Sequence, residues 1–159
     1  MAVLQTRSNT NIYLKAPSGT AFATGDILPA AQVYDLSTPL TAANFEFGGY
    51  GSTYIQRVTD LRDATFSFGY DVDPADTKLA TILTAWNSTS MKVDIMVVNG
   101  DEPAAAAVNF VVYGRFVLTN LSADRPLPGV VRLTVEGASS DGLITVASNV
   151  TAMPSLAAP

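Results

Sequence analysis

Residues 120–135, NLSADRPLPGVVRLTV, join two apolar strand patterns through a turn that contains two prolines and a glycine. Residues 107–120 before the turn and residues 129–137 after it both alternate between apolar and polar positions. Alternation with a period of two is typical of a strand with one face in the core. Because proline fixes the backbone of a turn, this stretch predicts a hairpin of two long antiparallel strands.

The same period of two occurs upstream. Residues 63–72 and 91–98 each place apolar side chains on one face and polar ones on the other, and residues 11–15 do so more briefly. These segments predict about six to eight strands in total. Helical crossovers between the strands are lacking in the pattern, which favours an antiparallel sheet.

One segment, residues 74–87, has helical periodicity. Its apolar positions have the spacing of one helix face: Leu79, Ile82, Leu83 and Trp86. Asp73 is a suitable N-cap and Pro74 suits the first helical position. A helix with one apolar stripe packs on a sheet, so the predicted fold is mainly β: an antiparallel β-sandwich or partly closed barrel with one flanking α-helix.

The remaining segments define the predicted domain organisation. Residues 1–10 are expected to form a flexible N-terminal arm, residues 11–146 a single domain, and residues 147–159 a C-terminal tail of small residues. Within the domain, residues 37–53 contain three closely spaced glycines and predict a long loop, with a short strand at residues 44–47. Long loops in compact domains are often functional.

Composition narrows the function. The 159 residues include no histidine and no cysteine, which excludes Ser-His and Cys-His nucleophile systems and thiolate metal sites. The net charge of −5 argues against strong phosphate binding. Charged residues make up 14% of the chain, against about 25% in a typical domain, so much of the surface is expected to contact protein. We expect no enzyme activity and no cofactor.

Apparent chemical motifs have simpler explanations. Asp71, Asp73 and Asp76 lack the glycine and terminal glutamate of an EF-hand loop, and helix capping explains Asp73. The stretch GGYGS at residues 48–52 lacks the lysine and helix of a P-loop. Arg125 has two open interpretations, a partner contact or a surface pair with Asp124. No segment reaches the length of a transmembrane helix, and the start of the chain does not resemble a secretory signal.

Two stretches carry a family resemblance: YGRFVLTNLSADRPLPGVVRLTVEGASSDGLIT at residues 113–145 and LRDATFSFGYDVDPADTKLATILTAW at residues 61–86. Their order of strand, Asp-rich corner, helix, strand and proline-containing turn resembles that of major tail tube proteins of long-tailed bacteriophages, over residues 55–146. Type VI secretion tube proteins are related to these in architecture. The resemblance implies hexameric rings that stack into a hollow tail tube, the conduit for DNA ejection.

The resemblance also implies partners and a location. A tape measure protein fills such a tube, a tail terminator and distal tail or baseplate proteins border it, and the genomic DNA passes through without specific binding. The protein would be part of the virion tail after assembly in the host cytoplasm, with no membrane contact.

Loops and terminal arms commonly bridge the rings of such tubes. We therefore predict that Phe45, Phe47 and Tyr50 make buried contacts between subunits. Asp94 and Glu136 lie opposite the apolar positions of their strands and are predicted as lumen carboxylates that repel DNA phosphates.

Other functions remain as alternatives. A head decoration protein, a tail terminator or a neck ring subunit would also be sheet-rich and acidic. A secreted carbohydrate-binding sandwich would need a signal peptide and an exposed aromatic platform.

Overall fold

The computed structural model describes residues 10–28, 33–47, 56–72, 77–127, 130–140 and 144–159. Within these ranges the chain forms eight β-strands, one α-helix and a short 3-10 turn at Thr24–Asp26. The strands are β1 (Thr10–Lys15), β2 (Val33–Ser37), β3 (Leu40–Phe47), β4 (Gln56–Asp71), β5 (Lys92–Gly100), β6 (Asn109–Leu127), β7 (Val130–Ser139) and β8 (Thr145–Ser148). The helix, α1, spans Thr77–Trp86.

The strands form one antiparallel sheet in the order β1-β5-β6-β7-β4-β2, and the sheet curls into a half-barrel. Two further strands lie beside this path: β3 pairs with β4, and β8 pairs with β6. The mainly β, antiparallel fold with one helix is confirmed. Of the two arrangements expected, the single curled sheet corresponds to the partly closed barrel.

The hairpin predicted from residues 120–135 is present. Leu127 pairs with Val130, and the register continues through Asp124 opposite Arg132. The two strands are longer than their alternation indicated, since β6 has 19 residues and β7 has 10. The length of β6 allows it to pair with β5, β7 and β8 along different parts of its two edges.

The main core lies on one face of the sheet, which we call the inner face. It contains side chains from six strands and from α1, including Phe66, Phe68, Ile82, Phe116 and Val135. The Phe66 ring is edge-on to Phe116, with 5.1 Å between centroids, and stacks on Phe68 at 5.8 Å. Ile82 is fully buried, and Leu79 and Trp86 pack against the core as predicted. Leu83, the fourth residue of the predicted stripe, is 40% exposed.

A second apolar cluster lies on the opposite, outer face of β1, β5 and β6. This outer cluster consists of Tyr13, Phe22, Met96, Val98 and Val111. Residues from two connecting segments, Val150 and Met153 after β8 and Ile27 before β2, pack against it. The sheet is therefore covered on both faces at this side.

Three segment predictions need comment. The short strand predicted at residues 44–47 lies within β3, which begins earlier, at Leu40, so less of residues 37–53 is a loop than expected. Residues 147–159 are not a free tail: Ala147 and Ser148 belong to β8, and Leu156 is buried. The predicted arm at residues 1–10 lies almost wholly outside the described residues, as does Asp73 at the predicted start of the helix.

Candidate functional site

The most unusual feature of the sheet is a two-stranded ribbon. It consists of β3 (Leu40–Phe47) and residues 56–64 of β4. From here on, "the arm" means this ribbon and not the N-terminal arm predicted at residues 1–10. The other half of β4 pairs with β7 on one side and β2 on the other, whereas in the described residues the arm half pairs only with β3. Isolated two-stranded ribbons are at best marginally stable in water. A ribbon of this kind would gain stability from contact with another surface.

The register of the arm separates its residues into two faces. Phe45 is opposite Val58, and Ala43 is opposite Leu61. A register shift at residues 43–44 leaves Asp60 without a partner and keeps Val58 and Leu61 on one face. The positions on this face are mostly apolar, whereas Glu46 opposite Arg57 and Ala42 opposite Arg62 occupy the other face.

The apolar face of the arm is not a continuation of the main core. Ala64 has inner-face register and is buried in that core, and it pairs with Leu40. Counting along the strands from this pair, Phe45 and Phe47 have outer-face register. The apolar periodicity of β4 thus changes face between Leu61 and Ala64. Tyr50, the third predicted contact residue, lies outside the described residues.

A polar surface occupies the outer face of β4, β7 and the second half of β6. Its charged residues are Asp63, Asp71, Asp124, Arg132 and Glu136. Four carboxylates and one guanidinium give this polar outer surface a net charge of −3. Hydroxyl and amide side chains fill the positions between them: Thr65, Ser67, Asn120, Ser122 and Thr134.

Hydrogen bonds fix several of these side chains. Arg132 Nε donates to Asp71 Oδ1 at 3.1 Å. Asn120 Nδ2 donates to Glu136 Oε2 at 3.1 Å. Glu136 is half-buried on the open part of this surface. Its predicted position opposite the core face of β7 is correct, and its role in a lumen remains a prediction.

Asp94 has a different environment from the one predicted. It is on the outer face, but the chain itself covers it and its exposed fraction is 0%. Arg115 Nε donates to its Oδ1 at 2.7 Å, Arg115 Nη2 donates to its Oδ2 at 3.1 Å, and Ser18 N donates to Oδ2 at 3.2 Å. A carboxylate buried in this way cannot face a lumen, so we correct that prediction.

A small apolar patch lies near the start of the long strand β6. Val108 and Phe110 fall in the apolar positions of its alternation, which predicts burial, yet they are 69% and 44% exposed. Val146 on β8 is 46% exposed and pairs with Val112, two residues from Phe110. These three residues extend the inner face beyond the part that α1 and the core cover. Local alternation does not show which part of the inner face α1 and the core cover.

The described residues offer little for catalysis. A groove of about 380 Å³ beside α1 is lined mainly by small residues, and Lys92 is its only ionisable side chain. Across the described ranges, three His, Cys, Asp or Glu side chains never come together as a potential metal site. In the same ranges no helix is long and apolar enough to cross a membrane.

Other residues noted in the sequence have structural partners or stay untested. Asp71 pairs with Arg132, and Asp73 and Asp76 lie outside the described residues. Burial, the hydrogen bond to Glu102 and the charge of Glu102 raise the pKa of Tyr13 well above its usual value. Trp86 packs against the main core. The two interpretations of Arg125 remain open.

Solved structures with the same fold come from phage-tail-like particles. A chain of the anti-feeding prophage cap, described as a tube terminating cap, superposes with a TM-score of 0.61 at 13% identity and covers 93% of both chains. A chain from the tail of an empty gene transfer agent (GTA) particle, determined with C6 symmetry, has a TM-score of 0.58 at 14% identity over 91% of this chain and 98% of that chain.

A chain from the sheath–tube complex of an extracellular contractile injection system, in the extended state, has a TM-score of 0.57 at 10% identity and covers 88% of both chains. At these identities the likeness establishes a shared fold. No protein-family model matches the sequence. A search of curated proteins found no match either.

Proposed function

We propose that this chain is a structural subunit of a phage-type tail, which assembles as hexameric rings stacked into a hollow tube. The observation that carries this proposal is the arm, whose apolar positions lie on the face opposite the chain's own core. The shared fold supports it, since it extends over about nine-tenths of the chain, and the GTA tail was determined with C6 symmetry. No catalytic role is proposed.

Two surfaces would contact neighbouring copies. The arm, through Phe45 and Phe47 and with Tyr50 beyond its described part, would pack against an adjacent subunit. The exposed patch of Val108, Phe110 and Val146 is a second apolar area that assembly would bury. Low overall charge is compatible with a subunit whose surface is largely covered by protein.

The polar outer surface would line the lumen. Its net charge of −3 would be repeated in every copy of a ring, and a negative wall repels phosphates and lets DNA pass without binding. Glu136 is the carboxylate that we assign to this role. Asp94 has no part in it, because it is buried. Such a tube would belong to the virion tail, with a tape measure protein inside and terminator and baseplate proteins at its ends.

Negative-stain electron microscopy of the purified full chain, fresh and after concentration, tests the proposal. We expect hollow rings with sixfold symmetry, and tubes at higher concentration. Filled particles or another rotational symmetry would contradict the ring assignment. A chain that stays monomeric at every concentration would contradict self-assembly from the purified subunit.

A tube-terminating subunit is the second candidate. The anti-feeding prophage cap is as similar in fold as the tail chains are, and it matches nearly the whole of both chains. Ring stacking separates the two functions. A terminator would form single rings that never elongate, whereas a tube subunit would form stacks of many rings.

A further inference from the structure

Two segments that are far apart in the sequence meet on the outer face of the sheet. The N-terminal connection, residues 16–25, follows β1, and the C-terminal strap, residues 149–159, follows β8. Both contribute to covering the outer cluster: Phe22 comes from the connection, and Val150 and Met153 come from the strap. Nothing in the proposed tube function requires this arrangement.

The two segments contact each other directly. Phe22 N donates to Pro154 O at 3.0 Å, and Ala21 forms an antiparallel bridge with Ser155. Gly19 lies against Ala158, since a Cβ at residue 19 would be 3.4 Å from the Ala158 Cβ. The bridged residues Ala21 and Ser155 are 134 positions apart in the chain, yet the two segments form a single covering layer.

A buried ion pair lies beneath the two segments and is hydrogen-bonded to each of them. Arg115 Nη2 donates to the backbone oxygen of Ala157 at 2.8 Å and to Asp94 at 3.1 Å. Asp94 Oδ2 accepts a hydrogen bond from Ser18 N at 3.2 Å. Arg115 thus binds the strap and Asp94 binds the connection, while the two side chains bind each other.

The strap has an anchor at each end. Asn109 holds its start through two bonds, from Val150 N at 2.8 Å and to Val150 O at 3.1 Å. The second anchor is Leu156, the one buried apolar side chain of the strap, with an exposed fraction of 9%. Between these anchors and β8, Asn149 has a left-handed φ of 53°, a conformation that asparagine adopts readily and that suits a hinge.

We propose that the connection and the strap open and close as one lid over the outer cluster, with the Asp94–Arg115 pair as the latch. Opening the strap removes the Ala157 carbonyl from Arg115 and admits water to a pair that is buried when the lid is closed. The weakened pair then holds Ser18 less firmly, so the free energies of opening of the two segments are coupled.

Native-state hydrogen exchange of the full chain, followed by NMR, tests the lid. The perturbing variant is Leu156→Ala, and the informative amides are those of Val150 in the strap and of Ser18 in the connection. The Leu28 amide donates to Ile12 O at 2.7 Å and reports on the main core, because Leu28 is buried there. The amides of Val72 and Leu118, which bond to Val131 and Met91, report on the sheet.

We expect Leu156→Ala to increase exchange at both lid amides by a common factor of roughly 30 or more, as for truncation of a buried leucine. The Leu28, Val72 and Leu118 amides should keep their rates. Leu83→Ala makes the same truncation at a site that is 40% exposed on α1 and should change none of these rates. If Leu156→Ala does not fold, Leu156→Val gives the same pattern with a smaller factor.

Two outcomes would overturn the proposal. Faster exchange at Val150 alone, with Ser18 unchanged, would show that the strap moves without the connection. An equal increase at the lid amides and at Val72 and Leu118 would show global unfolding and no separate lid.

Discussion

Arg115 donates from Nε to Oδ1 of Asp94 at 2.7 Å, and the carboxylate of this pair is fully buried. Replacing Asp94 with alanine leaves a buried guanidinium without its counter-ion, so we expect Asp94→Ala to lower the free energy of unfolding by about 3–5 kcal/mol. Chemical denaturation measures this loss. The double variant Asp94→Leu with Arg115→Met removes both charges and should recover much of it. A double variant as unstable as the single one would contradict the role of the unpaired charge.

Gly137 supports the close packing of β7 against β4 and β6. A Cβ at this position would lie 2.3 Å from Cε1 of Phe66 and 2.8 Å from the backbone oxygen of Val117. Because the backbone oxygen cannot move away easily, Gly137→Ala should lower the free energy of unfolding by about 1–3 kcal/mol.

Gly25 provides the matched control, because a Cβ there would meet nothing within 4 Å. Gly25→Ala should leave stability unchanged or raise it by about 0.4–1 kcal/mol. Thermal denaturation of the two variants side by side makes the comparison. Equal effects would show that the space around residue 137 does not determine the loss.

The raised pKa of Tyr13 predicts that the protein loses stability at alkaline pH. Burial, then the hydrogen bond to Glu102 and its charge, raise the pKa of Tyr13 in the folded state. Above the unfolded pKa of about 10, the unfolded chain loses this proton while the folded chain keeps it. The Tyr13 contribution is therefore fully present below pH 10 and declines as the pH rises further.

Denaturation at a series of pH values, compared between the wild type and Tyr13→Phe, isolates this contribution. The difference in unfolding free energy between the two proteins should be constant below about pH 10 and shrink above it. Glu102→Gln should keep most of the effect, because burial is its largest cause. A difference that does not change with pH would contradict the raised pKa.

The fold could be predicted where local pattern and tertiary structure agree. The alternation in residues 63–72 corresponds to the part of β4 that packs in the main core, and the stripe of α1 packs on the sheet. Only residues 44–47 of strand β3 were predicted, because the first half of its sequence, LTAA, has one β-branched residue and no aromatic residue. Its extension back to Leu40 comes from pairing with β4, which no local pattern displays.

The error at Asp94 has a similar cause. The alternation of β5 assigned it correctly to the face opposite the main core. That face is covered by residues 16–28 and 149–159, which are far from β5 in the sequence but contact the Asp94–Arg115 pair in the fold. Local periodicity predicts which face a residue occupies, and it carries no information on what lies over that face.

The lumen assignment predicts a charge-dependent interaction with DNA. If the polar outer surface lines the tube, assembled Glu136→Lys subunits should retain duplex DNA at low salt and release it as salt rises. Wild-type tubes should retain little. Asp26→Lys makes the same change of charge in the 3-10 turn, away from that surface, and should behave as the wild type does. Co-sedimentation of DNA with tubes measures retention, and equal retention by the two variants would contradict the assignment.

If the apolar face of the arm is a contact between subunits, a variant of this face should fold normally but fail to assemble. Phe45 and Phe47 occupy a ribbon that extends past the paired sheet, so Phe45→Ser with Phe47→Ser should change the unfolding free energy of the subunit by less than about 1 kcal/mol. The same variant should fail to form rings, since the apolar face of the arm would lose its two aromatic positions. Analytical ultracentrifugation measures assembly, and denaturation measures stability.

Asn44→Ser with Glu46→Ser alters the opposite face of the same strand and should assemble normally. If the phenylalanine variant unfolds, the two aromatics stabilise the subunit itself; if it assembles as the wild type does, the arm is not the contact surface.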